Sequence, residues 1–173
     1  QVVHNFHPVV GGIETYAYNL AKGLVEAGNT VKVCTASVPG WPARQVWQGI
    51  DIHRLRAIAH PFSYPLIPGI IPALAHDRCD ILHAHINSPM TVDFAALASR
   101  LVDTPLVVTY HADALYADIA DKAAAFGGWL NRVYRMSRQR AANIARRLIV
   151  TSPVYLESSH FLQRYRPQAS VVP

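Results

Sequence analysis

The sequence predicts an α/β protein, a three-layer sandwich in which a mainly parallel sheet is covered by helices on both faces. Short apolar runs alternate with amphipathic stretches along the 173 residues, as expected when strands alternate with helices. Hydrophobic residues make up 51% of the chain and charged residues only 16%, a balance that favours a sheet buried on both faces. The chain is long enough to bury such a core as one domain.

Glycines mark both ends of the first predicted helix. Apolar residues recur at helical spacing after the pair Gly11-Gly12, and Gly28 supplies a stop. Short apolar runs predict the strands, and a polar loop that contains tryptophan separates the second strand from the third. The first half is predicted to contain, in order, strand 1–4, helix 13–28, strand 30–35, strand 49–54 and helix 70–76.

The second half continues the alternation. Ser88-Pro89 is a suitable helix start, because serine caps helices and proline is favoured in the first turn. Gly127-Gly128 is a candidate break in a long helical segment. The predicted elements are strand 80–84, helix 89–101, strand 105–110, helical segment 118–145, strand 147–151, a helix from residue 153, and strand 169–173.

Composition favours an anionic partner without selecting one. Lysine and arginine (16) exceed aspartate and glutamate (11), which gives a net charge of +5. Nucleic acid is not expected, because no recognised binding motif accompanies these charges. Cys34 and Cys79 are predicted to be free thiols, which fits the cytoplasm. Four prolines interrupt the apolar stretch 58–75, so no membrane-spanning helix is predicted.

The glycine pair at the start of the first helix is a candidate phosphate site. Unpaired backbone amides at a helix start attract anions, and glycine lets a phosphate approach the main chain. A plain structural turn explains Gly11-Gly12 equally well. The loop lacks the glycine patterns of dinucleotide-binding and P-loop proteins, and no acidic residue follows the second strand to bind a ribose. Nicotinamide cofactors and P-loop chemistry are therefore excluded.

Four segments together resemble family 4 glycosyltransferases of the GT-B fold, and the resemblance extends over essentially the whole chain. The matching segments are residues 7–16 (HPVVGGIETY), 80–85 (DILHAH), 105–113 (PLVVTYHAD) and 148–152 (LIVTS). The resemblance implies a Rossmann-like N-terminal, acceptor-side domain over residues 1–173. It also implies a C-terminal nucleotide-sugar-binding domain absent from this chain, since the family's two glutamates eight positions apart have no counterpart here. Residues 1–173 alone are accordingly expected to be inactive.

The resemblance also implies roles for individual residues. Gly11 and Gly12 match the loop that approaches the donor diphosphate, and His111 matches the histidine that reaches the transferred sugar. We expect His111 to position and stabilise the sugar as charge develops, without acting as a nucleophile. The predicted acceptor-binding residues are His7, His85, Asn87 and Asp113. The resemblance implies transfer with retention to a saccharide, lipid or small-molecule acceptor, with a nucleotide-sugar as donor substrate, no further cofactor and no metal.

Two other classes of function stay open at this point. His85, His111 and Asp113 could form the site of a metal-dependent hydrolase, or the chain could be a noncatalytic carbohydrate-binding module. Against the metal site, His83 is expected to be a hydrogen-bonded core residue while His85 lies at the rim.

A basic helix raises the question of membrane contact. The helix predicted at residues 129–147 carries several arginines on one side, which suggests docking on an anionic membrane surface, or an ordinary solvated face. A cytoplasmic protein, peripheral on the inner membrane face, would fit the first alternative. The arginines concerned are Arg132, Arg135, Arg138 and Arg146.

Overall fold

The architecture was analysed in a computed structural model that describes residues 1–60, 64–86, 89–111 and 124–173. The strands are β1 (Val31–Ala36), β2 (Arg44–Trp47), β3 (Ile50–Leu55), β4 (Leu82–Ile86), β5 (Leu106–Tyr110), β6 (Arg147–Val150) and β7 (Ala169–Val171). The helices are α1 (Gly12–Glu26), α2 (Ile70–His76), α3 (Pro89–Leu101), α4 (Ala124–Ile144), α5 (Pro153–Ser158) and α6 (His160–Gln163), and a 3-10 turn (Arg166–Gln168) precedes β7.

Residues 1–4 join two groups of strands into one sheet. One group has the order β1-β3-β2 and the other the order β4-β5-β6-β7. Val2 forms parallel bridges with Cys34 of β1 and with Ala84 of β4, and its amide donates to the His83 carbonyl at 2.7 Å. The predicted first strand is confirmed, and it lies in the middle of the sheet.

All the paired strands run parallel except β2 and β3, which form a hairpin. The hairpin turn is Gln48-Gly49, where φ is positive at both residues (50° and 78°), a geometry that joins twisted antiparallel strands. The prediction of a loop before the third strand was therefore wrong for β2. This strand lies at the edge of the sheet and is largely exposed, so it lacks the apolar run that marks the buried strands.

Each face of the sheet has its own apolar core, as the three-layer prediction requires. One core lies beneath α1 and includes Phe6, Ala17 and Ile52. The other lies beneath α2, α3, α4 and α6. Val2 and Val3 belong to different cores, because successive side chains of a strand point to opposite faces. The α/β/α sandwich is thereby confirmed.

Helix α4 continues through Gly127-Gly128, so the predicted break is absent. The helix ends at Ile144, and the earlier residues predicted to be helical, 118–123, lie outside the described residues. After β6 the chain forms two short helices, because Ser159 interrupts them and its hydroxyl accepts from the Leu162 amide at the start of α6. Among the described residues, no helix has both the length and the apolar character needed to cross a membrane.

The strand order reverses beside residues 1–4. From there the chain builds outward to β1 and β3 on one side, and to β4 through β7 on the other. Ligands of open parallel sheets bind outside the carboxyl ends of the strands at such a reversal. The segments at this position are the loop that leads into α1 and the residues that end β4 and follow β5.

Candidate functional site

Two histidines of β4 face the same side of the sheet. His83 and His85 are two residues apart, and their rings stack with centroids 4.8 Å apart. His83 is 8% exposed, and its Nε2 lies 2.7 Å from the Thr109 hydroxyl of β5. The prediction that His83 is a hydrogen-bonded core residue is confirmed.

His85 connects the interior of the sheet to His111. The two nitrogens His85 Nδ1 and His111 Nε2 lie 3.0 Å apart, and His85 Nε2 lies 3.1 Å from Gln1 Oε1. His85 is fully buried, so the predicted rim position is wrong. The physical reason is that the His85 ring is enclosed by the rings of Tyr16, His83 and His111, with centroids 6.1, 4.8 and 5.3 Å away.

Tyr16 places the start of α1 beside His111. The rings of Tyr16 and His111 meet edge to face, with centroids 5.1 Å apart, and the Tyr16 hydroxyl donates to the Val172 carbonyl at 3.2 Å. Tyr16 lies one helical turn after Gly12, so the glycine pair and His111 lie at the same edge of the sheet. Tyr16 lies within one of the segments that resemble the family, but no role was predicted for it. Its position one turn from the glycine pair was the available signal.

The two glycines differ in their surroundings. A Cβ on Gly11 would overlap the Glu14 carboxylate, which folds back over the helix start, whereas a Cβ on Gly12 would have no other heavy atom within 4 Å. A carboxylate near the first turn compensates the positive end of the helix dipole. The Glu14 carboxylate ends a flexible side chain that can move aside, so this contact does not by itself require glycine at position 11, and Gly12 faces open space.

Burial keeps the three imidazoles neutral at neutral pH. It lowers the pKa of His111 to about 4 and that of His83 to about 3, and it holds the pKa of His85 well below the ordinary value of 6.5. Burial also raises the pKa of the Tyr16 phenol, which therefore stays protonated. Each neutral imidazole has one N–H donor and one acceptor nitrogen.

His7 belongs to an aromatic cluster on the other side of the α1 loop. Its ring stacks on Trp47 at 3.9 Å and meets Trp41 edge to face at 5.1 Å. The buried guanidinium of Arg54 donates to the His7 carbonyl at 2.8 Å and lies 5.5 Å from the Trp41 ring centroid. Arg54, which sequence reasoning did not select, thus connects the end of β3 to the loop before Gly11.

Two of the predicted acceptor residues, Asn87 and Asp113, lie outside the described residues. In the part of the chain that the structure describes, no three His, Cys, Asp or Glu side chains are grouped so as to hold a metal ion. The cysteines are free, with Cys34 buried and Cys79 exposed.

The four arginines of the predicted basic helix differ in their exposure to solvent. Arg132 and Arg135 are exposed on α4, and Arg146 is exposed beyond the end of the helix. Arg138 is half-buried, and its Nη1 donates to the hydroxyl of Tyr110 at 2.7 Å. Its inclusion in one exposed basic face was therefore wrong, because its guanidinium reaches inward to the end of β5.

The doubly wound parallel sheet, with a glycine-initiated helix and a histidine at the strand reversal, defines a Rossmann-like α/β domain. The chain belongs to the Glycosyl transferase 4-like domain family, which matches residues 11–173.

Named relatives support the same assignment. The chain is 28% identical over 150 residues to the GDP-mannose:cellobiosyl-diphosphopolyprenol alpha-mannosyltransferase of Xanthomonas campestris, a match that covers 83% of this chain and 38% of the relative. It is 27% identical over 179 residues to the O-antigen chain mannosyltransferase C of Escherichia coli, covering 99% of this chain and 44% of the relative. The chain thus spans less than half the length of either relative.

Proposed function

We propose that this chain is the N-terminal, acceptor-side domain of a retaining glycosyltransferase that moves a sugar from a nucleotide-sugar to a saccharide, lipid or small-molecule acceptor. The observation that carries the proposal is the single edge formed by the start of α1, Tyr16 and His111. The names of both relatives favour transfer of mannose, and that of the Xanthomonas campestris relative favours a GDP-mannose donor and a diphosphopolyprenol-linked acceptor. The nucleotide-sugar would be held mainly by a second domain, and no further cofactor is proposed.

The start of α1 is the proposed contact for the donor diphosphate. Its first amides are unpaired within the helix and carry the positive end of the dipole. The open space at Gly12 leaves room for a phosphate against the main chain. Glu14 covers the neighbouring Gly11 in the free chain, so we expect the donor to displace its carboxylate.

His111 is the proposed catalytic residue, and His85 positions it. With Gln1 Oε1 as acceptor, His85 donates from Nε2 and accepts at Nδ1. His111 then donates from Nε2 to His85 and keeps Nδ1 as an acceptor for a sugar hydroxyl. A neutral ring held in one tautomer interacts with developing charge without first reorienting.

The acceptor is proposed to lie on the His7 side of the α1 loop. Trp41 is 40% exposed there, and aromatic rings stack well on the apolar faces of sugars. Asn87 and Asp113 stay predictions as acceptor-binding residues. His85, being buried, is proposed to act through His111 and not on the acceptor directly.

Contact with an anionic membrane surface is a further part of the proposal, in keeping with a peripheral protein on the cytoplasmic face. It is supported by the exposed side chains of Arg132, Arg135 and Arg146. Cosedimentation with vesicles tests it, and equal binding to neutral and acidic vesicles would exclude an electrostatic contact.

The comparisons do not support the metal-dependent hydrolase that used His85, His111 and Asp113, nor the noncatalytic carbohydrate-binding module. Both alternatives are therefore set aside.

The test of the proposed function is sugar transfer by the longest natural chain that contains these residues. We expect His111→Ala to lower kcat about 100-fold or more, the scale for loss of one preorganised polar contact in the transition state, while the variant remains folded. The matched control is His76→Ala, which removes an exposed histidine at the end of α2 and should leave kcat unchanged. Wild-type turnover in His111→Ala would remove His111 from the mechanism.

A further inference from the structure

A basic cavity lies between α4 and α6, on the face of the sheet opposite to α1. Its volume is about 280 Å³, close to the lower limit for small-molecule sites. Among the described residues that line it, none is acidic. The lining includes Arg135, Arg138, His160, Phe161, Arg164 and Tyr165.

Arg138, one of the lining residues, is held in place. Its guanidinium donates to the Tyr110 hydroxyl at 2.7 Å and lies 4.4 Å from the centroid of the Phe161 ring. A guanidinium that is already oriented loses less side-chain entropy when it binds a ligand, and its planar group of donors matches phosphate oxygens.

Arg135 of α4 and Arg164, which directly follows α6, add two exposed guanidinium groups. Arg135 and Arg164 carry like charges that repel each other, and an anion with several oxygens relieves that repulsion while accepting hydrogen bonds from both. The small volume suits a phosphate group with a short substituent and does not suit a polymer. We propose that this cavity binds the phosphate or diphosphate group of a phosphorylated ligand.

The cavity is separate from the proposed donor site. Tyr110 and His111 are consecutive, but the Tyr110 ring packs against Phe161 of α6, whereas the His111 ring packs against Tyr16 of α1. Phosphates bound at the two places would therefore contact different helices. Phosphate binding in this cavity does not depend on sugar transfer.

Inorganic pyrophosphate is the probe for the test, added to the longest natural chain that contains these residues at constant ionic strength. We expect saturable shifts of the α6 amide resonances in ¹H–¹⁵N spectra. Arg135→Ala and Arg164→Ala should each weaken this response about tenfold, the loss of one charge-assisted hydrogen bond. Arg132→Ala is the matched control, because Arg132 is exposed on the same helix but does not line the cavity.

Two sources of the phosphate are distinguished with phosphatidylcholine vesicles, with and without phosphatidylglycerol. If Arg164→Ala weakens binding to acidic vesicles as well as to pyrophosphate, the natural ligand is a lipid headgroup. If it weakens only pyrophosphate binding, the ligand is a soluble phosphate compound.

The proposal is overturned if the α6 response is absent, is reproduced by chloride, or is as strong in Arg135→Ala and Arg164→Ala as in Arg132→Ala. Shifts confined to α1 would overturn it while leaving the proposed donor site intact.

Discussion

Acidification from about pH 7 to about pH 5 is expected to destabilise this domain through its buried histidines. Burial holds the pKa of His111 at about 4 and that of His83 at about 3 in the folded chain, whereas an unfolded histidine titrates near 6.5. Between these values the unfolded chain binds protons that the folded chain does not, so stability falls as the pH falls. At pH 5 the linkage amounts to roughly 2 kcal/mol for each of these two histidines.

Urea unfolding at several pH values measures this effect. His111→Gln should reduce the loss between about pH 7 and about pH 5 by roughly 2 kcal/mol, because the variant lacks that titrating group. An NMR titration of the His111 ring in the folded protein checks the cause directly. A free energy of unfolding that stays constant across this range, or a His111 ring that titrates near 6.5, would refute the reasoning.

Three other substitutions test separate parts of the site. Gly12→Ala should weaken donor binding about tenfold, because the added Cβ occupies the space through which the phosphate approaches the main-chain amide and one charge-assisted hydrogen bond is lost. The control Gly23→Ala, in open space within α1, should add about 0.5 to 1 kcal/mol of stability and leave donor binding unchanged. Equal donor affinity in both variants would exclude the phosphate contact. Arg54→Met should cost about 3 kcal/mol in urea unfolding, because three oxygen acceptors lose a charged donor; wild-type stability would contradict this. His85→Leu should leave His111 in two tautomers, visible in long-range ¹H–¹⁵N spectra, and a single tautomer would disprove the positioning role.

The central sheet could be predicted because its strands are buried on both faces. In β5 (Leu106–Tyr110) four of the five residues are buried, and such strands are recognisable as apolar runs without any knowledge of their neighbours. Edge strand β2 could not be found in this way. The strongest sequence indication of β2 is the Gln48-Gly49 turn. That turn is difficult to recognise because it requires positive φ at a glutamine, which is uncommon.

For the site, the sequence predicted which residues lie at one edge of the sheet but not how their side chains pack. Gly11, Gly12 and His111 were predicted to lie at one edge because their loops follow parallel strands. The contact between Tyr16 and His111 agrees with this placement. The depth of His85 and the inward direction of Arg138 depend on side-chain packing between elements distant in the sequence, such as β5 with α4. Periodicity within one segment carries no information on those contacts.

The most direct test of the proposed donor edge is a titration of the longest natural chain that contains these residues with its nucleotide-sugar. We expect the Gly12 amide and the His111 ring nitrogens to shift together, with one dissociation constant, because both contact the same bound molecule. Shifts of neither group, or of Gly12 without His111, would contradict a shared donor edge.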